Sequence, residues 1–169
     1  MRRPIPSPRV VVRAADRGDI PSLVALLQAG ALAGGVETPD NLEAYETALA
    51  EIEATVGTEL LVAEVDGEVV GMCQVMLFRH FQHRGGLCAE LESVFVRPDV
   101  RSHGIGSILV RHAIDMARQA GCYRVQLTSN VSRTDSHRFY ARLGFKPTHL
   151  GFKLWLEELE VAGSDATSD

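Results

Sequence analysis

No stretch of this chain approaches the length of a membrane span, and the opening residues Met1-Arg2-Arg3-Pro4-Ile5-Pro6-Ser7-Pro8 lack the apolar run of a secretory signal. A soluble, cytoplasmic protein is expected. Positive charge is scarce as well: 17 Lys and Arg stand against 22 Asp and Glu, a formal net charge of -5. A nucleic-acid binder needs a basic field over a whole face, so that class is disfavoured, whereas a local basic cluster still suffices for a small anion. Cysteine is sparse. Cys73, Cys88 and Cys122 show no C-x-x-C spacing, and three cannot all pair within one chain, so buried free thiols in a reducing compartment are expected. Cys88 stands near His83 and Glu90, but neighbours on a strand point to alternating faces, so proximity in sequence makes no triad. No metal is expected, because His80-x-x-His83, with His137 far along the chain, has no assignable third ligand. There is no internal repeat. No Gly-Lys-Ser/Thr follows any glycine turn, which excludes a nucleotide P-loop.

What is present is a chain of 169 residues, 46% apolar, long enough for one domain with a real core. The domain is placed at 9–159, preceded by an N-terminal extension (1–8) and followed by a tail (160–169) that has nothing to bury. Val10-Val11-Val12-Arg13 reads as a strand, and Asp19 as the cap of a helix whose apolar residues Ile20, Leu23, Val24 and Leu27 recur until Gly30. Thr38-Pro39 opens a second helical stretch with the stripe Leu42, Tyr45, Leu49, Ile52 and Val56. Leu60 to Val65 and Glu68 to Phe78 are β-rich runs joined by Asp66-Gly67, a dipeptide suited to a two-residue hairpin. After the polar connection Arg79 to Gly86 comes a strand from Cys88 to Arg97. A helix with Ile105, Ile108, Leu109, Ala113, Met116, Ala117 and Ala120 stops at Gly121. Tyr123 to Thr128 reads as a strand, Thr134 to Leu143 as a short helix ended by Gly144, and Phe152 to Leu156 as a last strand.

Chemistry concentrates at Arg101-Ser102-His103-Gly104-Ile105-Gly106, between the strand residues Val94-Phe95-Val96 and the helix start Ser107-Ile108-Leu109-Val110. A strand, glycine turn and helix start of this kind points main-chain N–H groups outward where the helix dipole adds positive charge, and so suits a phosphate or pyrophosphate. Just upstream, Glu90 and Glu92 alternate with Ala89, Leu91 and Ser93, which sets both carboxylates on one face of the strand.

The element order β-α-α-β-β-β-turn-α-β-α-β, with Arg101-x-x-Gly104-x-Gly106 after the fourth strand, resembles the GNAT superfamily of acetyl-CoA-dependent N-acetyltransferases. A second signature, Phe139-Tyr140-Ala141-Arg142-Leu143-Gly144-Phe145, agrees with that family's F/L-Y-x-x-x-G-F. The resemblance runs from about Val10 to Leu156. The stretch Leu127 to Tyr140, with His149 and Phe152-Lys153, is similar to a subgroup that includes aminoalkylphosphonate N-acetyltransferases. It implies an α/β (α+β) fold with a mixed, mostly antiparallel sheet of six to seven strands flanked by about four helices. Acetyl-CoA is then the cosubstrate, its pyrophosphate on the N–H groups of Ser102, His103, Gly104, Ile105, Gly106 and Ser107. Its pantetheine lies along the main chain of Val94, Phe95 and Val96, in a gap where the fourth and fifth strands splay. The resemblance also implies a distorting bulge in the fourth strand, which leaves open which glutamate faces the acetyl group. Glu92 is favoured as the base and Glu90 assigned to amine binding or a water relay; Tyr140 is the donor to the leaving thiolate. Asn130 is a candidate cofactor contact, although it lies three residues before the family's usual asparagine, where Arg133 stands. Arg101 and Arg111 are candidates for the cofactor phosphates, and Arg79, Arg84 and Arg138 for an acidic acceptor. The expected activity is acetylation of a primary amine on a small molecule by direct attack, with a homodimer as a possible assembly. Acetylation of a protein or peptide and non-catalytic sensing of acyl-CoA are the alternatives.

Overall fold

Alternation of apolar residues builds one sheet. The computed structural model describes residues 9–31 and 37–156, so the expected extension (1–8) and tail (160–169) lie outside it. It divides between Thr128 and Ser129 into two compact units. In the first, the sheet has the order β1-β2-β3-β4-β5. β1 (Val10–Ala14), β2 (Thr58–Val65), β3 (Glu68–Arg79) and β4 (Leu87–Val96) pair antiparallel with their successive neighbours. β5 (Arg124–Leu127) joins β4 parallel, because the helix between them returns the chain to the same end of the sheet. Asp66 (φ 51°) and Gly67 (φ 84°) make the tight β2–β3 turn that the sequence predicts.

Strand periodicity sorts the residues to two buried faces. Leu60, Val62 and Met72 form one cluster with Ile20, Leu23, Val24 and Leu26 of α1 (Ile20–Gly30) and Leu49 of α2 (Leu42–Ala54). The intervening Leu61, Ala63, Cys73, Val75, Ala89 and Leu91 point the other way and are buried as well. That side receives α4 (Ile105–Gln119), which packs on β3 and β4 and buries Ile105, Leu109, Val110, Ala113 and Ala117. Among the described residues no helix is long and apolar enough to cross a membrane.

Several expectations change. Asp19 holds the N-cap position of α1, but its side chain makes no capping bond: its buried carboxylate accepts from Arg13 Nη1 (2.6 Å) and Nη2 (2.9 Å) and from the Asp16 N–H, while Asp16 caps a 3-10 turn at Arg17–Asp19. The second helix starts at Leu42 with Asn41 as its cap, since residues 39–40 form a turn, and Val56 lies beyond its end, fully exposed. The connection after β3 contains a single turn, α3 (Gln82–Gly85), in which His83 (φ 55°) and Arg84 (φ 56°) are left-handed. With α5 (Thr134–Arg142) of the second unit, that makes five α-helices among the described residues.

The sheet has five strands among the described residues, not six or seven. Phe152 to Leu156 alternates like a strand but pairs with nothing described; Phe152, Leu154 and Leu156 are 90%, 72% and 71% exposed. Alternation supplies a face, but a strand also needs a ladder partner.

Candidate active site

β4 carries the centre of the site. Met72 stands opposite Phe95 and Gln74 opposite Glu92, so two steps on β3 match three on β4. The extra residue is a bulge with Ser93 at φ 51°, a conformation that costs a non-glycine residue energy and recurs where a strand must re-aim its groups. Glu90 and Glu92 share the face of Gln74, Met76 and Met72, the side covered elsewhere by α1 and α2, and both are half-buried. Phe95 follows on the same side and reaches the end of α1, where a Cβ on Gly30 would sit 2.1 Å from its ring. Only glycine admits that approach.

The two carboxylates have different surroundings. Glu90 Oε2 accepts from Gln126 Nε2 at 2.5 Å. Gln126 Oε1 in turn lies 3.7 Å from the Cys88 thiol, which accepts from Arg124 Nε at 3.3 Å. The Glu92 carboxylate makes no hydrogen bond or ion pair to any described residue. Gln126 and Arg124 were not singled out from the sequence. Their signal was the period-two pattern Arg124-Val125-Gln126-Leu127, which gives β5 one polar face.

β4 and β5 pair only from Cys88 to Leu91, against Arg124 to Leu127. Beyond Leu91 that edge of β4 has no strand partner among the described residues. Because Arg97 N–H turns toward Val70 O on β3 (2.8 Å), the main-chain groups of Val96 face the open side. There Val96 O accepts from Arg101 Nε at 2.9 Å, which ties the strand end to the glycine turn and leaves the carbonyl one further lone pair.

In that turn Ser102 (φ 67°) and Gly104 (φ 82°) are left-handed, and His103 Nδ1 lies 2.9 Å from Arg101 O. The first intrahelical bond of α4 is Ile108 N–H to Gly104 O at 3.1 Å. The N–H groups of Ile105, Gly106 and Ser107 therefore have no acceptor within the helix, and no side chain caps them. A Cβ on Gly104 would meet nothing within 4 Å, so the turn is open beside that residue. This cradle fits a pyrophosphate.

In the second unit, Tyr140 lies on α5 with its ring edge-on to Phe139 (5.1 Å) and Phe145 (5.7 Å). Gly144 (φ 95°) ends that helix as its sequence requires. Asn130 Oδ1 accepts from Ser132 N–H (2.9 Å) and Ser132 Oγ (2.8 Å), so it shapes its own turn and keeps its amide N–H groups for other partners.

The cysteines supply no exposed nucleophile. Cys73 and Cys88 are fully buried, and burial pushes the Cys73 thiol up to about 12. Cys122 is half-exposed, and burial raises its thiol above the ordinary range too. No group of three or more His, Cys, Asp or Glu able to hold a metal exists among the described residues.

The Acetyltransferase (GNAT) family model matches residues 24–145. An aminoalkylphosphonate N-acetyltransferase of Salmonella typhimurium is 40% identical over 87 residues, covering 52% of this chain and 56% of that one. The chain spans about half the length of the curated relatives it matches. A crystal structure described as a transcriptional regulator from Bacillus halodurans superposes with a TM-score of 0.83 at 36% identity, covering 87% of this chain and 99% of that one. A predicted acetyltransferase from Clostridium acetobutylicum, solved with acetyl-CoA, shares the fold at 18% identity and a TM-score of 0.69, covering 89% and 98%.

Proposed function

The chain belongs to the GNAT family of acetyltransferases, and from that premise we propose that it moves an acetyl group from acetyl-CoA to the primary amine of a small molecule, by direct attack in a ternary complex. The observation that carries the reading is the half-buried, unpartnered Glu92 at the β4 bulge, on the strand whose open edge leads into the N–H cradle of 104–107. An acceptor amine is protonated at neutral pH and must lose a proton before it attacks a thioester. Glu92 takes that proton, directly or through water. Glu90, pinned by Gln126, orients the amine or the relaying water.

Acetyl-CoA supplies the activated acyl group. The turn from Arg101 to Ser107 holds its pyrophosphate, and Val94, Phe95 and Val96 offer main-chain partners to its amides; Asn130 is a further candidate contact on its sequence motif alone. A main-chain N–H near Val94 polarises the thioester carbonyl. The sequence motif around Tyr140, read by itself, assigns that hydroxyl as the proton donor to the departing thiolate. A small-molecule acceptor is favoured by the Salmonella relative, an aminoalkylphosphonate N-acetyltransferase.

A second reading, an acyl-CoA-binding sensor without turnover, draws on the description of the Bacillus halodurans structure as a transcriptional regulator. One assay separates the two. Incubation with acetyl-CoA and a panel of aminoalkylphosphonates, amino acids, polyamines, aminoglycosides and peptides is expected to yield an N-acetylated small molecule by mass spectrometry. Initial-velocity lines with both substrates varied are expected to intersect. Tight acetyl-CoA binding with no acetylated product from any amine favours the sensor, and parallel lines contradict direct attack.

A further inference from the structure

We propose that Arg124, held in place by Cys88 and His80, recognises an acidic group on the acceptor, so that the substrate is a short amine bearing a phosphonate, phosphate or carboxylate. The inference rests on the acetyl-transfer reading above, and the observations behind it all come from the first unit.

The first observation is register. Arg124 pairs with Cys88 and Gln126 with Glu90, so the guanidinium emerges on the same face of the sheet as Glu90 and Glu92, toward the start of β4. Two strand steps separate Cys88 from Glu90 and four separate it from Glu92, about 7 and 13 Å along the strand. An arginine side chain spans part of that distance. An amine nitrogen near Glu92 and an anion on Arg124 therefore belong to one small molecule with a short chain between them.

The second observation is that this arginine is fixed. Nε donates to Cys88 Sγ at 3.3 Å, and Nη2 lies 3.2 Å from His80 Nε2. The guanidinium carbon stands 5.3 Å from the centre of the Tyr123 ring. Tyr123 is itself stacked on His83 at 4.1 Å and edge-on to His80 at 6.3 Å. A surface arginine that merely solvates its fold has no use for such a frame.

The third is that its charge is unmatched. Arg13, Arg17, Arg97, Arg118 and Arg138 each pair with a carboxylate, whereas Arg124, like Arg79, Arg84 and Arg101, has none within ion-pair distance among the described residues, and of these it is the one set beside Glu90 and Gln126 on the sheet face. Of five donors, one goes to Cys88 and one to His80, and three remain, both N–H groups of Nη1 among them. Shielding of the Cys88 thiol would be served by any long apolar side chain. A planar fork with spare donors matches a carboxylate or phosphonate. In the neighbouring loop, His83, stacked on Tyr123, and Arg84 line an open recess of about 360 Å³, and Arg79 Nη1 straps the loop through Gly85 O at 2.7 Å. Nor does this arginine serve the cofactor's pyrophosphate. The glycine turn lies past Val96, at the opposite end of β4, about 26 Å from the level of Cys88.

The test is calorimetric binding of aminoethylphosphonate, β-alanine and the neutral ethylamine to the full chain with CoA present, alongside acetyl-transfer rates for the same amines. Wild type is expected to bind one or both acidic amines, the phosphonate and carboxylate arms telling which anion is read, and not ethylamine. Arg124→Gln weakens that binding about 30-fold or more, with Arg124→Lys intermediate because it keeps the charge and loses the fork. Arg118→Gln, paired with Asp115 on α4, binds as wild type. Equal thermal melting of the Arg124 variants, whose side chain is exposed, separates lost recognition from lost folding. Acidic-amine binding that depends on Arg124 without any acetylated product leaves the anion site standing and overturns the acetyl-transfer reading. Unchanged binding in Arg124→Gln, or ethylamine bound as well as the acidic amines, overturns the anion site whatever the rates.

Discussion

Glu90 and Glu92 are two residues apart on one strand face, yet one is engaged by Gln126 and the other by nothing described, so identical chemistry receives different roles from its neighbours. That difference was hidden in the sequence. Alternation set both carboxylates on one side, but the partner on β5 depends on a ladder register 36 residues away in the chain. Asp19 makes the same point for stability. Its place before an apolar stripe suggested a helix cap, but Arg13 on β1 claims the carboxylate, and that hydrogen-bonded pairing holds its pKa below the ordinary range. A lowered folded-state pKa means stability that is complete above the unfolded carboxylate pKa and lost as pH falls through the folded one. Asp19→Asn is expected to cost about 2 kcal/mol at neutral pH. The gap to wild type should close in acid, read by urea unfolding across an acid series. A gap that does not change with pH would contradict the ion pair's contribution.

At the level of elements, local signals were the legible ones. The Asp66-Gly67 hairpin, the glycine turn before α4 and the Gly144 stop all rest on positive φ, a property written into single residues. The β4 bulge was expected from family resemblance and is present, with Ser93 carrying the positive φ. What was not legible was pairing. Phe152 to Leu156 has the alternation of a strand but no partner among the described residues, and β5 stays paired for four residues only. The glycine turn gives a direct test of its assigned role. Because a Cβ at Gly104 would touch nothing, Gly104→Ala acts through conformation alone: the left-handed geometry costs a non-glycine residue about 1–2 kcal/mol, or the turn relaxes and the cradle is lost. Acetyl-CoA affinity is expected to fall about tenfold by calorimetry. Wild-type affinity in this variant would remove the turn from the cofactor site.

Taken as a whole, the molecule has an acidic balance of -5, and its chemistry gathers along β4, from the framed arginine beside its first residues to the N–H cradle beyond its last. The assignment of a base to the middle of that line is the claim on which the rest depends. Its most direct measurement is amine-dependent release of CoA thiol from acetyl-CoA at neutral pH by wild type, Glu92→Gln and Glu90→Gln side by side. Loss of a general base removes about 100-fold or more from kcat, so Glu92→Gln should fall by that factor, while Glu90→Gln mainly raises KM for the amine. Thiol release that ignores the amine, or an equal loss in both variants, would contradict the account.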